Sequence, residues 1–250
     1  MKTLCFFLMM AIGTINGAVL DEQPKGELTY CGYRNEGIAG LGTDYCFFEV
    51  DSSGVAKICV VLNEDNRFGD PVIERTYSVD RSIVDSLGLE LYREEILNLD
   101  GYNVDEAMCG GRAYSFGIRY SSGERVRAYW YGHEIKTEAL KAYGTIERFF
   151  DPWRERARKD AELVGRVARI TEMEAIYKRV ARAVKKKKTY PGLREDVDTL
   201  MDYLDSKKWR EDFEADERGE LPEGLKRGVL SEDGLYNLLE SDGLFNLMTL

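Results

Sequence analysis

The sequence predicts an α+β fold, in which an N-terminal antiparallel sheet with packed helices is followed by a small all-helical domain. Two segments predict the sheet, because residues 45–60 and 114–129 share Tyr, Phe and Ser-Ser-Gly at the same offsets and each is typical of a strand-turn-strand hairpin. Apolar residues at helical spacing after residue 152 predict the helices. A chain of 250 residues is long enough for two modest cores, which we place at residues 25–150 and 152–250.

The hairpin turns can be predicted from the polarity of opposed residues. A three-residue loop at 121–123, with Gly123 in the left-handed conformation, brings apolar residues opposite apolar ones and polar residues opposite polar ones. The predicted pairs are Ile118–Val126, Phe116–Ala128, Tyr114–Trp130, Arg119–Arg125 and Ser115–Tyr129. The same loop at 52–54 places Glu49 opposite Lys57 and Phe48 opposite Ile58.

Two helices are expected to pack on this sheet. Asp80 is a suitable N-cap for a helix over residues 81–97. A second helix follows the second hairpin with Thr137 as its cap. Its apolar positions at helical spacing are Leu140, Tyr143, Ile146 and Phe150.

The helical domain is expected to begin at Asp151, because the Pro152 that follows is favoured at the first position of a helix. The apolar stripe of this long helix comprises Ile170, Met173, Tyr177, Val180 and Val184. A second helix after residue 192 carries Leu193, Val197, Leu200, Met201 and Leu204 on one side. Ser231, followed by Glu232 and Asp233, predicts the start of a further helix.

The N-terminus is typical of a secretory signal. Lys2 is followed by an apolar stretch of about 11 residues, and the small residues Gly17 and Ala18 stand where cleavage is expected, so a signal peptide is predicted over residues 1–18. A retained anchor or an N-terminal strand is the alternative. The apolar stretch is shorter than a membrane span of about 20 residues. We therefore expect a secreted or periplasmic protein without a membrane span after cleavage.

Four cysteines remain after cleavage: Cys31, Cys46, Cys59 and Cys109. The hairpin register places Cys46 and Cys59 on opposite faces of the sheet, which disfavours a bond between them. The open alternatives are Cys31–Cys46 with Cys59–Cys109, Cys31–Cys59 with Cys46–Cys109, or thiols. In an exported chain we expect at least one disulfide.

The C-terminal part also resembles a known family. Tyr203, Ser206, Trp209 and Asp212 are followed by the turn at 219–222 and by residues 228–233 with Leu235 and Tyr236, and together they resemble the uncharacterised bacterial family called domain of unknown function 4298. The resemblance covers roughly residues 166–246. It implies a small helical domain and no established activity for any residue.

Composition narrows the possible chemistry. The net charge of −10 disfavours nucleic acids and anionic membranes as partners. His133 is the single histidine in the sequence, which excludes a zinc site built from several histidines, and no serine or cysteine near it lies in a nucleophile motif. The acidic segment 212–223 approximates a calcium loop, but its sixth position is Glu217 rather than glycine, so a solvated acidic loop, or an internal partner for the basic helix end, is expected instead. We therefore predict no catalytic, cofactor-binding or metal-binding residue.

The remaining candidate is a surface for a protein partner. The outer face of the second hairpin carries residue types that dominate binding hot spots, namely Arg119, Arg125, Arg127, Tyr129 and Tyr131. The alternative is a sheet face covered by a helix of the same domain. The basic run 185–188 is interpreted as a helix end that complements the helix dipole, with a partner-binding patch as the alternative. The favoured function is a non-enzymatic protein-interaction module, and the rival is a carboxylate-dependent hydrolase of glycan or peptide.

Overall fold

A computed structural model describes residues 26–37, 42–63, 72–106 and 110–249 of the chain. Cys109 and the predicted signal peptide at 1–18 lie outside the described residues, so those expectations stay predictions. The chain divides into two compact units, one comprising Met1–Val72 and Thr76–Phe150 and the other Ile73–Arg75 and Asp151–Leu250. We call them the sheet unit and the helical unit.

The sheet unit contains a seven-stranded sheet with the strand order β4-β3-β2-β1-β6-β7-β5. The strands are β1 (Leu28–Gly37), β2 (Thr43–Val50), β3 (Ala56–Leu62), β4 (Ile73–Val79), β5 (Tyr102–Asp105), β6 (Arg112–Tyr120) and β7 (Arg125–Tyr131). The predicted α+β class is confirmed. The sheet is mixed, however, because β5 pairs with β7 in parallel, whereas the pairs β1–β2, β2–β3, β1–β6 and β6–β7 are antiparallel.

Both predicted hairpin registers are confirmed. Ile118 lies opposite Val126 and Arg119 opposite Arg125, and in the first hairpin Glu49 lies opposite Lys57. Gly54 and Gly123 have φ values of 82° and 93°, the left-handed conformation that a three-residue loop requires and that glycine adopts without a Cβ clash. Turn length and matched polarity were therefore sufficient to fix the pairing.

One face of the sheet forms the core of this unit. Cys31, Tyr33, Phe48 and Ile58 are among its buried side chains, each at most 1% exposed. The first turns of helix α2 (Thr137–Lys186) pack on this face, since the Tyr143 ring lies 5.4 Å from the Tyr33 ring between centroids. Such burial of a large side chain contributes about 1.5 to 3 kcal/mol.

The cysteines follow the predicted register. Cys46 lies opposite Val60 and Cys59 opposite Phe47, so Cys46 and Cys59 project from opposite faces as expected. Cys31, Cys46 and Cys59 are thiols in the structure. Burial raises the pKa of the Cys31 thiol far above its usual range, so this residue packs as a small apolar side chain. Both predicted connectivities include Cys109, and disulfide formation stays a prediction.

Helix α1 (Arg81–Arg93) starts as predicted and ends early. The Asp80 carboxylate accepts a hydrogen bond from the Ser82 backbone N–H at 2.9 Å. The predicted end at residue 97 is wrong, because Glu95 adopts a left-handed φ of 53° and a short 3-10 helix, Ile96–Leu99, follows. This break lets Ile96 and Leu99 be buried together with the helix face.

Helix α2 differs from the prediction in two ways. It runs without interruption through Pro152, so the expected new helix at Asp151 is wrong. A proline inside a helix costs about 3 kcal/mol, but Phe150 and Ala157 on either side are fully buried, and their packing holds the helix together. Leu140 is 51% exposed rather than buried, and Ala139 and Ala142 face the core instead.

The helical unit contains the rest of α2 together with four shorter helices: α3 (Leu193–Leu204), α4 (Lys207–Glu217), α5 (Glu232–Leu239) and α6 (Asp242–Met248). The predicted stripe packs inward, with Ile170 and Val180 fully buried. On α3 the fourth buried position is Tyr203, whereas Met201 is 48% exposed, contrary to the prediction. Ser231 caps α5 as predicted, because its hydroxyl accepts from the Gly234 N–H at 3.2 Å.

In the described part of the chain, the helices are too short or too polar to cross a bilayer. This finding covers residues 26–37, 42–63, 72–106 and 110–249. The apolar N-terminal stretch lies outside that part.

Lys187 occupies a position that glycine usually fills. Its φ is 51°, its backbone N–H donates to the Val184 carbonyl, and the next N–H, of Lys188, donates to the Ala183 carbonyl, as in a Schellman C-cap. The left-handed conformation costs a residue with a Cβ about 1 to 2 kcal/mol. Lys187→Gly should therefore raise the free energy of unfolding by about 0.5 to 1 kcal/mol, after the greater entropy of unfolded glycine is counted. Urea denaturation measures this, and Lys187→Ala, which keeps the Cβ, should give no gain.

Candidate functional site

The outer face of the sheet contains a concave surface that we call the trough. Strand alternation places one set of side chains from β1, β2, β6 and β7 on this face, opposite the core. The volume of the depression is about 770 Å³. The trough is lined on this face by Tyr30, Gly32, Arg34, Tyr45, Asn103, Ser115, Gly117, Arg119, Arg127 and Tyr129.

Two opposed glycines form the floor of the trough. Gly32 on β1 lies directly opposite Gly117 on β6, so neither position projects a side chain at the centre of the sheet, and the Tyr30 side chain lies beside both. At Gly32 an added Cβ would lie 2.6 Å from the Phe47 Cβ, a distance that real contacts do not tolerate. At Gly117 the nearest atom would be in the Tyr30 ring at 3.6 Å, an ordinary contact. Gly32 is therefore required by packing, whereas Gly117 could be replaced by alanine without a clash.

An aromatic row forms one wall. The Phe47 ring stacks between Tyr30 and Tyr45, with centroid distances of 5.9 Å and 5.0 Å. The Arg119 guanidinium lies 4.6 Å from the Tyr30 centroid and that of Arg34 lies 5.5 Å from the Tyr45 centroid, which are cation–π distances. Burial, and then a hydrogen bond with Tyr45, raises the pKa of Tyr30 well above its usual range. These contacts hold the wall in place before any ligand arrives.

The trough is lined by arginine and by no carboxylate of the described residues. Arg119 pairs with Glu49 at 3.2 Å and Arg34 with Glu36 at 3.6 Å, and in both pairs the side chains are more than half exposed. Exposed pairs of this kind are worth about 0 to 1 kcal/mol and exchange partners readily.

Arg127 has a different environment from Arg34 and Arg119. Its guanidinium makes no ion pair or hydrogen bond within the part of the chain that the structure describes. Acidic groups do flank one end of the trough, since burial and then the nearby carboxylates of Asp105 and Glu36 raise the pKa of Tyr129. The available positive charge therefore lies over the floor, beside Gly117.

The five residues predicted for partner binding do not all reach this surface. Arg119, Arg127 and Tyr129 line the trough, while Arg125 is exposed opposite Arg119 and outside the lining. Tyr131 is 7% exposed, and its hydroxyl donates to the Gly110 carbonyl at 2.9 Å. Tyr131 is thus buried and offers no surface.

Sequence reasoning missed half of the trough. Tyr30, Arg34 and Tyr45 lie on β1 and β2, and they join Arg119 and Arg127 because β1 pairs with β6 across more than 75 residues of sequence. The available signal was the alternation Tyr30, Gly32, Arg34 on one strand face. Without knowledge of the strand order, this alternation could not be connected to the second hairpin.

The polar groups considered for catalysis lie elsewhere. His133 is exposed, and its backbone N–H donates to the Glu106 carboxylate at 2.9 Å. Over the described ranges, no group of three or more His, Cys, Asp and Glu side chains is placed to hold a metal ion.

The helical unit contains a second polar cluster, which is closed to solvent. Asp212 is 0% exposed and accepts two hydrogen bonds from Arg169, at 2.8 and 2.6 Å, and one from the Tyr203 hydroxyl at 2.7 Å. Arg166 forms an ion pair with it at 3.2 Å. The sequence-based prediction of a solvated acidic loop from residue 212 is wrong, because α4 extends to Glu217 and buries Asp212.

A second buried carboxylate, Glu174, is also satisfied. It is 6% exposed, accepts from the Val229 backbone N–H at 2.8 Å and pairs with Lys178 at 2.9 Å. Gly228 fits against it, since an added Cβ would lie 3.3 Å from its Oε2 atom. The Asp212 and Glu174 carboxylates therefore fix the positions of α4 and of the segment before α5. Both are buried against these partners.

The helical unit is thus a small bundle organised around buried, neutralised carboxylates. Residues 170–249 match the model of the family described as Domain of unknown function (DUF4298). This match confirms the resemblance predicted from the sequence. No curated protein matches the chain.

The residues that carry the resemblance have structural roles. The Ser206 hydroxyl caps α4 by accepting from the Trp209 N–H at 3.2 Å, and the Trp209 indole N–H donates to the Val229 carbonyl at 3.2 Å. Tyr203 and Asp212 form the buried cluster, and Ser231 caps α5. The family pattern therefore describes how this unit folds.

Proposed function

We propose that the chain is a non-enzymatic protein-interaction module whose trough binds a partner segment rich in acidic and aromatic residues. The observation that carries this proposal is the arginine lining of an aromatic trough on the outer face of the sheet. Outer sheet faces are ordinarily polar, and exposed apolar patches are typical of binding sites. Tyrosine and arginine dominate such sites because each combines a large contact area with hydrogen bonding.

The charge of the trough supports an acidic partner. Arg34, Arg119 and Arg127 present three cations in a chain of net charge −10, without a carboxylate among the described lining residues. A guanidinium binds a carboxylate through two parallel hydrogen bonds. Since the Arg127 guanidinium is not engaged by a described residue, it can bind a partner carboxylate without first losing a bond.

The preorganised wall supports affinity. Ordering a mobile side chain on binding costs about 0.5 to 1.5 kcal/mol, and stacking of Tyr30, Phe47 and Tyr45 removes much of that cost. Gly117 has no side chain of its own, which leaves a partner side chain room beside the Tyr30 ring. A partner phenyl or leucine side chain flanked by carboxylates fits these features.

The rival hydrolase hypothesis requires two acids in a cleft, at least one with a raised pKa. Where the pKa of a described carboxyl group departs from its ordinary value, it is lowered, as for Asp51, Asp80 and Asp196. The hydrogen bond from Ser53 lowers the pKa of Asp51, and the one from Arg179 lowers that of Asp196. These directions keep the acids ionised, so no observation favours the hydrolase.

A display library of random peptides tests the proposal. Selection against the wild-type chain should enrich peptides with Asp or Glu next to an aromatic or leucine residue. The variant Arg119→Ala, Arg127→Ala, Tyr129→Ala should bind the selected peptides at least tenfold more weakly, since each lost hot-spot contact costs more than about 1 kcal/mol. Fluorescence polarisation gives the dissociation constants.

The matched control is Arg93→Ala, Arg148→Ala, Tyr92→Ala, which removes the same residue types from α1 and α2. Its affinity should stay within about twofold of wild type. Equal binding by the trough variant and by wild type, with both folded by circular dichroism, would remove the trough from consideration.

The proposal includes export of the mature chain to the periplasm or outside the cell after removal of residues 1–18. It is supported by the basic start, the apolar stretch and the small residues before the expected cleavage point. Intact mass of protein recovered from the producing cell should lack the N-terminal segment, and thiol titration of the unfolded chain should find fewer than four thiols. A full-length mass would contradict export by cleavage.

A further inference from the structure

The C-terminal end of α2 concentrates positive charge. Residues 179–188 contain six lysines and arginines and no acid, in a chain whose net charge is −10. Arg179 alone of these is neutralised by a described carboxylate, because its guanidinium donates to both Asp196 oxygens, at 2.9 and 2.7 Å. The Tyr190 hydroxyl donates to the same carboxylate at 2.6 Å. Asp196 is therefore already engaged by Arg179 and Tyr190.

Five cations remain, namely Arg182 and the lysines at 185–188. All are exposed, and none makes an ion pair within the part of the chain that the structure describes. The helix dipole does not balance them, since it supplies only about half a negative charge at the helix end. The mutual repulsion of five like charges is a cost that a structural helix end does not require.

The backbone at Lys187 adds a second cost. Glycine or asparagine is favoured at this left-handed C-cap position, yet a lysine with φ of 51° occupies it. Strain at an exposed charged residue is an indication that the charge is used. Charge crowding and backbone strain therefore occur in the same basic segment, residues 182–188.

Three of the five cations, Arg182, Lys186 and Lys188, line a shallow depression of about 290 Å³. It is lined by Arg179, Arg182, Lys186, Lys188, Thr189 and Tyr190. Pockets for drug-sized ligands begin at about 300 Å³, so this one suits a single small group. The Tyr190–Asp196–Arg179 hydrogen bonds make one wall rigid, while Arg182, Lys186 and the Thr189 hydroxyl supply donors.

We infer that this depression binds a phosphate or diphosphate group. A phosphate monoester carries about −1.5 to −2 charges and three acceptor oxygens, which matches several convergent cations better than a single carboxylate does. The Arg182 fork binds two oxygens in a plane, and the lysines act as point charges. The site lies in the helical unit and does not depend on the proposed function of the trough.

Inorganic pyrophosphate is the probe that tests this inference. Calorimetry at low ionic strength should show binding to the full chain tighter than about 1 mM. The variant Arg182→Gln, Lys186→Gln should bind at least tenfold more weakly, because each charge-assisted hydrogen bond is worth about a factor of ten. Both side chains are exposed, so the variant should keep the far-ultraviolet circular dichroism of wild type.

The matched control is Lys208→Gln, Lys226→Gln, which removes two exposed charges from the same unit. Its affinity for pyrophosphate should stay within about twofold of wild type, because salt screens distant charges. Equal losses in both variants would show a non-specific effect of net charge and overturn the inference. Failure of the wild-type chain to bind pyrophosphate would overturn it as well.

Vesicles containing phosphatidic acid distinguish a lipid headgroup from a soluble ligand. Vesicle binding that pyrophosphate displaces, and that Arg182→Gln, Lys186→Gln abolishes, assigns the headgroup to this site. Pyrophosphate binding without vesicle binding assigns a soluble phosphate. Vesicle binding that neither pyrophosphate nor the variant reduces would contradict the assignment of phosphate recognition to this depression.

Discussion

Replacing Asp212 by alanine is expected to lower the free energy of unfolding of the helical unit by about 3 to 5 kcal/mol. The fully buried carboxylate accepts from Arg169 twice and from Tyr203 once. Arg166 would keep its ion pair with Glu162 at 2.7 Å, whereas Arg169 would lose its ion pair with Asp212 at 2.6 Å. Loss of one partner from a buried pair is costly because the remaining charge stays desolvated.

Amide hydrogen exchange measures this effect in the full chain, since the slowest amides of residues 170–249 report the stability of the unit. Glu214→Ala is the matched control on the same helix. Glu214 is exposed and pairs with Arg218 at 3.7 Å, so its loss should cost at most about 0.5 kcal/mol. If Asp212→Ala does not fold, Asp212→Asn should show a smaller loss of the same sign. Equal stability of wild type, the Asp212 variant and Glu214→Ala would contradict a structural role for the cluster.

Gly32→Ala is expected to lower the free energy of unfolding of the sheet unit by about 1 to 3 kcal/mol. Its new Cβ would lie 2.6 Å from the Phe47 Cβ and 2.9 Å from the Cys46 carbonyl oxygen, so the backbone of β1 or β2 must shift. A shift there also displaces Phe47 from the aromatic row. Loss of stability and loss of peptide binding should therefore occur together.

Gly117→Ala separates these two effects, because its new Cβ would meet the Tyr30 ring at 3.6 Å. Alanine in a strand is favoured over glycine by about 0.5 to 1 kcal/mol, so stability should be equal or higher. The methyl group would nevertheless occupy the trough floor, so the affinity of the selected peptides for the trough should fall. Urea denaturation monitored on both variants gives the comparison, and equal destabilisation by both would contradict the described packing.

Local rules were sufficient for the hairpins and for the starts of α1 and α5. The registers at Gly54 and Gly123 and the caps at Asp80 and Ser231 depend on residues within a few positions of each other, which a sequence displays directly. The parallel pairing of β5 could not be predicted. That strand has four residues, and its partner β7 lies more than 20 residues away.

Burial of polar groups was the least predictable feature. Asp212 lies in a run of acidic residues that is typical of a solvated segment, and its partner Arg169 is 43 residues earlier in the chain. Tyr131 follows the alternation of its strand but is 7% exposed, and its hydroxyl donates to the Gly110 carbonyl. Pro152 predicted a helix start, and packing on both sides of it outweighed that local preference. In each case tertiary contacts decided the outcome.

Nuclear magnetic resonance of the arginine side-chain Nε–Hε groups, recorded with a selected acidic peptide, tests the central proposal most directly. The signals of Arg119 and Arg127 should shift on peptide addition, while those of Arg93 and Arg148 stay in place. A carboxylate bound by a guanidinium shifts the Nε–Hε signal, because the Nε–H donates a hydrogen bond to the carboxylate. Shifts at Arg93 or Arg148 with none at Arg119 and Arg127 would contradict partner binding in the trough.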